Sequence, residues 1–110
     1  MFKYLIIIFL NMVTKEEILE VLKQVSDPEI GMDVVNLGLV YDVQINGDRV
    51  YIKMTMTAPT CPVTPWILSE AQKEVESLEG VEAADIELVW EPQWTPDMMS
   101  DYAKEQLNMY

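Results

Sequence analysis

The stretch TAPTCPVTPW, Thr57 to Trp66, carries the only cysteine of a 110-residue chain that has no histidine. A cysteine thiolate is a soft metal ligand and a nucleophile. Here Cys–His catalysis has no base, because no imidazole exists to take the proton. One thiol cannot form an internal disulfide, and it cannot hold an iron–sulfur cluster alone, since clusters usually take about four cysteine ligands. A metal or cluster at Cys61 therefore needs ligands from a second copy, a partner, a small thiol or carboxylates. A free thiol fits a reducing compartment and so a cytoplasmic protein.

Carboxylates are available. Asp27 and Glu29 flank Pro28, which holds the preceding residue extended. Local sequence also allows these acids to be solvated charges in a helix-ending turn. Asp33 and Asp42 are weaker candidates that could simply satisfy backbone amides. Trp66, Trp90 and Trp94 read as core and edge aromatics, and Trp94, in a proline-rich segment, is the one suited to anchoring a partner.

Nineteen acidic against seven basic residues give a net charge of −12. A polyanion is repelled and no basic cluster offsets this, which excludes nucleic-acid binding. Half of the residues are apolar, enough for one packed domain, and a homodimer would add to a modest core. The apolar run from Tyr4 to Leu10 is far shorter than a membrane span and no small-residue cleavage site follows it. Residues 1–11 read as an apolar extension, either an arm that packs on the domain or a partner, or sequence upstream of a natural start at Met12, ahead of a single domain over 12–110.

These residues need positioning elements. Thr14 and Glu17 form a capping box, with Val13 and Ile18 as its hydrophobic staple. Ile18, Val21, Leu22 and Val25 continue a helix that ends near Ser26. A loop follows, then alternation from Val35 to Ile45 predicts a strand. Asn46-Gly47 favours a tight hairpin turn, and the return strand runs from Arg49 to about Thr57. A second helix buries Ile67, Leu68, Ala71, Val75 and Leu78 and stops at Gly80. Its start has two solutions: Cys61 as cap with Pro62 first, so that the helix dipole favours the thiolate, or Thr64 as cap with Pro65 first. A third strand covers about Ala84 to Trp90, and Thr95-Pro96 opens a short last helix. The order helix-strand-strand-helix-strand-helix predicts an α/β two-layer sandwich, a small three-stranded mixed sheet with helices on one face.

Three stretches together resemble the PaaD-like metal–sulfur cluster biosynthesis family: DPEIGMDVVNLGLVYDV (Asp27 to Val43), MTMTAPTCPV (Met54 to Val63) and EPQWTPDMMS (Glu91 to Ser100). The resemblance spans about Thr14 to Leu107 and leaves residues 1–11 outside. Its characteristic positions fall on Asp27, Pro28 and Glu29, on Asn36, Leu37, Gly38 and Tyr41, on Thr57, Thr60, Cys61 and Pro62, and on Trp94, Thr95, Pro96 and Met99. Gln93, where members often carry proline, and Pro65 are departures.

The resemblance implies a role in maturing iron–sulfur proteins without a defined catalytic reaction, in company with assembly proteins and client apoproteins. It makes Cys61, Asp27 and Glu29 the expected metal or cluster contacts, supported by Thr57, Thr60, Pro62 and Asn36, with Trp94 and Met99 facing partners. A hard carboxylate beside a soft thiolate suits ferrous iron. The expected cargo is a transient iron or iron–sulfur cluster, with none tightly bound. The alternatives are an adaptor that never binds metal and, more weakly, a thiol enzyme using Cys61.

Overall fold

The computed structural model describes residues 13–57 and 62–107. The expected extension over 1–11, together with Thr60 and Cys61, lies outside the described residues.

Helix α1 (Lys15–Leu22) starts where the sequence places it. The Thr14 hydroxyl accepts from the Glu17 amide at 3.2 Å, and the Glu17 carboxylate accepts from the Thr14 amide at 3.2 Å. Such a cap is worth about 1 kcal/mol. Val13, before the cap, and Ile18 and Leu22, on the inner face, are buried. The helix ends at Leu22 rather than near Ser26, because Ser26 and Asp27 form a strand, β1 (Ser26–Asp27), paired antiparallel with β2 (Met32–Asp33). Gly31, at φ 79°, turns the chain between them.

The main sheet has three strands in the order β3 (Val40–Asn46), β4 (Arg49–Met54), β5 (Ala83–Leu88). β3 and β4 are antiparallel and β4 and β5 parallel, so the sheet is mixed, as expected. Asn46 pairs with Arg49, so the hairpin loop is Gly47-Asp48, one residue later than the sequence suggested, with Gly47 at φ 65°. Val43, Ile52 and Ile86 share one cross-strand row, and Ile45, Val50 and Ala84 another. Helix α2 (Thr64–Glu76) packs on β5 and on α1, burying Ile67, Ala71 and Val75 against this face. Burial of Ile67 or of Val75 contributes about 1.5–3 kcal/mol each, and of the Ala71 methyl about 0.8 kcal/mol. On the opposite face Lys53 sits between Asp42 and Glu87, a cross-strand arrangement of opposite charges that favours this register.

Other boundaries also differ from the sequence reading: β4 ends at Met54 rather than near Thr57, and β5 at Leu88 rather than Trp90. The alternation from Val35 is not strand until Val40, because Asp33, Asn36 and Gly38 build turns first. The helix α2 cap is Val63, which makes no side-chain cap bond, and Pro65 sits in the first turn. That is close to the second of the two expected starts: Pro65 lacks only an amide that a first turn leaves unpaired. Cys61 therefore precedes the cap by two positions in the chain.

After β5 a segment containing a cis Glu91–Pro92 peptide leads to a 3-10 turn (Pro96–Met98) and then to helix α3 (Asp101–Gln106). The single last helix of the sequence reading is thus two elements. Thr95 makes no side-chain cap bond, whereas the Ser100 hydroxyl accepts from the Ala103 amide at 3.1 Å and starts α3.

Candidate functional site

The C-terminal segment is held on the loop before β3, and on Tyr41 of β3 itself, by hydrogen bonds and one close backbone approach. Trp94 donates its indole N–H to the Leu37 carbonyl at 2.7 Å. Ser100 donates its hydroxyl to Asn36 Oδ1 at 2.7 Å and its amide to the Asn36 carbonyl at 2.8 Å. The Asn36 side-chain amide donates in turn to Asp33 Oδ1 at 2.7 Å, and the Asn36 backbone amide donates to Asp33 Oδ2 at 2.9 Å. Tyr41 donates to the Pro92 carbonyl at 2.8 Å. Gly38 has φ 79° and passes so close to the Met98 backbone that an added Cβ would meet the Met98 carbonyl. Asn36, Gly38, Tyr41 and Trp94 therefore act as a clamp between sequence-distant segments.

Trp94 of this clamp forms part of the wall of two cavities. One, of about 290 Å³, is lined by Met56, Thr57, Trp90, Glu91, Gln93 and Trp94. The second, of about 360 Å³, is lined by Glu29, Ile30, Leu37, Trp94, Met99 and Leu107. Trp94 belongs to both. Thr57, at the entry to the cysteine loop, and Glu29, in the acidic loop, thus each line a cavity that the fixed Trp94 also lines.

The two acids of the acidic loop differ in environment. Asp27 is not a solvated turn charge; it is 1% exposed. Its Oδ1 accepts from the Glu29 amide at 2.9 Å, and its carbonyl accepts from the Gly31 amide at 2.7 Å, so it organises the turn that presents the exposed Glu29. Asp33 and Asp42 accept backbone amides, those of Asn36 and Val43. No group of three or more potential metal ligands exists among the described residues, from which Cys61 is missing.

Of the two partner-facing expectations, the one for Met99 needs correction. Met99 is 5% exposed and belongs to the core, because the 3-10 turn directs it inward while Met98 stays at the surface. Trp94 is half-buried and pinned by its hydrogen bond; the more exposed indoles are Trp66 at 50% and Trp90 at 40%. Trp90 and Glu91 were not singled out as site residues from sequence. Their only signal was the interruption of the β5 alternation by Glu91-Pro92.

Tyr41 stands at an irregularity between Val40 and Asp42, an extra residue in β3, and such bulges re-aim a side chain. Its phenol titrates above the usual 10.0: burial is the main cause, the Thr55 hydroxyl partly opposes it, and the Glu91 carboxylate adds to it. Thr55 itself is fully buried, and among the described residues its hydroxyl makes no hydrogen bond of ordinary geometry.

Comparison with known proteins decides the family. The family described as iron–sulfur cluster assembly protein matches residues 15–88. The chain belongs to this family. The Fe-S protein maturation auxiliary factor YitW of Bacillus subtilis is 47% identical over 96 residues, 86% of this chain and 94% of that protein. An iron–sulfur cluster carrier protein of Synechocystis is 35% identical over 89 residues, 81% of this chain and 24% of that protein. The crystal structure of a domain of unknown function, DUF59, from Bacillus anthracis has a TM-score of 0.83 and 37% identity, covering 87% of this chain and 92% of that one. As in the sequence reading, the fold is a mixed α/β sandwich and the biological setting is iron–sulfur cluster assembly. No helix among the described residues is long and apolar enough to cross a membrane.

Proposed function

We propose that this assembly factor is a transient carrier, in the cytoplasm, that takes iron or an iron–sulfur cluster as cargo and passes it to client apoproteins without turnover chemistry of its own. Cys61, as thiolate, contacts the cargo, and Glu29 joins or tunes that contact. Asp27 contributes by holding the turn that presents Glu29. The observation carrying this reading is that Trp94 lines both the cavity of Thr57 and the cavity of Glu29. The ligand set supplied by one chain is incomplete, and the remaining ligands come from an assembly protein, the client or a second copy. Incomplete ligation favours release, which transfer requires. The names of the maturation and carrier relatives support the same role.

The test is activation of an apo [4Fe–4S] enzyme by the loaded protein under anaerobic conditions. Cys61→Ser should abolish activation and Glu29→Gln should slow it. Activation by Cys61→Ser at the wild-type rate would overturn the carrier reading and leave docking as the protein's contribution.

A further inference from the structure

Among the described residues, the cavity lined by Trp90 and Trp94 includes one residue expected to support the metal contact, Thr57. At about 290 Å³ it sits at the small end of ligand pockets, which run roughly 300–1,000 Å³. That size suits one side chain rather than a cofactor. The described residues lining it are Trp90 and Trp94, Met56, Thr57, Gln93 and the acidic Glu91. Glu91 forms no salt bridge among the described residues. Trp94 is held rigid by its bond to the Leu37 carbonyl, and Trp90 is 40% exposed.

Aromatic faces beside an anionic oxygen attract a flat, weakly hydrated cation. A guanidinium stacks on indole and offers a fork of N–H donors to a carboxylate, which an ammonium does less well. The surrounding charge of −12 favours the approach of a basic segment. We propose that this cavity receives an arginine side chain of a partner protein, stacked between Trp90 and Trp94 and paired with Glu91. It rests on the reading above that this end of the molecule meets other proteins, and it names the chemistry by which one of them is held.

The test uses a metal-free peptide, acetyl-Gly-Gly-Arg-Gly-Gly-amide, titrated into the full chain while the three indole N–H resonances are followed by NMR. The signals of Trp90 and Trp94 should shift saturably while that of Trp66, which does not line the cavity, stays in place. The citrulline peptide, equal in shape but uncharged, should bind about fivefold or more weakly, as should arginine peptide with the Glu91→Gln variant. Raising the salt should weaken binding. An unperturbed Trp66 resonance in Glu91→Gln shows that the variant is folded. Absence of saturable shifts, equal binding of citrulline, or an unaffected Glu91→Gln variant would overturn the proposal. The peptide carries no iron and the assay does not involve Cys61, so its failure is distinct from failure of the carrier reading.

Discussion

Replacing Gly38 with alanine tests the joint on which the site is built. Gly38 and Gly31 share a φ of 79°, but an added Cβ meets nothing within 4 Å at Gly31, whereas at Gly38 it runs into the Met98 carbonyl and carbonyl carbon. The left-handed conformation alone costs an alanine about 1–2 kcal/mol. Forcing an atom into a packed contact adds about 1–3 kcal/mol, and here the obstacle is backbone, which no rotamer change relieves. Gly31→Ala should therefore lose about 1–2 kcal/mol and Gly38→Ala about 2–5 kcal/mol, a large share of the roughly 5–15 kcal/mol that holds a domain together. Urea unfolding followed by far-ultraviolet circular dichroism measures both, at a slope of about 1–3 kcal/mol per molar. Gly38→Ala should also shift the emission of Trp94, since the clamp opens, while Gly31→Ala leaves it unchanged. Equal losses for the two variants, with unchanged Trp94 emission, would refute the clamp.

Further outcomes follow from the same contacts. The raised Tyr41 pKa means that the folded protein holds its phenolic proton more tightly than the unfolded chain does. That contribution is whole below the ordinary value of 10.0 and fades as the pH rises through the folded value. Wild type should thus lose stability in alkali more steeply than Tyr41→Phe, which at neutral pH should cost about 1 kcal/mol for the lost bond to Pro92, both read from urea midpoints against pH. Glu82 is raised above 4.5 by its hydrogen bond with the Asp48 carboxyl and by repulsion from it. The native state is accordingly favoured below 4.5 and loses that advantage as the pH rises through the folded value. Glu82→Gln should therefore be more stable than wild type at pH 7, with the difference gone in acid. Ser100→Ala removes both the cap of α3 and the bond to Asn36 and should cost about 1–2 kcal/mol. A double-mutant cycle with Asn36→Ala should show coupling of about 1 kcal/mol between the two positions.

The elements with local causes were legible in the sequence. The Thr14–Glu17 box and the alternation of Val50, Ile52 and Met54 need only neighbours a few residues away, and both stand in the structure. The alternation from Val35 to Leu39 misled, because hydrophobic residues at period two also arise where turns drop Leu37 and Leu39 into the core. The small β1–β2 ladder was hidden by strands of two residues, too short to show a period. Around the site, Asp27 and Glu29 looked alike in sequence, yet burial separates them: one shapes the turn and the other faces outward. Met99 looked available to a partner because the core that buries it is built from residues far away in the chain, and the bond that fixes Trp94 comes from Leu37, more than fifty positions away. The cavity at Trp90 and Glu91 has the same origin, since it exists only once the C-terminal segment folds back beside Thr57.

The central claim is that Cys61 contacts the cargo. Anaerobic reconstitution with ferrous iron and sulfide, followed by visible absorption and bound iron, tests it most directly in wild type and Cys61→Ser. Wild type should gain iron and a sulfide-to-iron chromophore that the serine variant lacks, with Glu29→Gln in between. Equal iron and equal absorption in wild type and Cys61→Ser, or none in either, would contradict it.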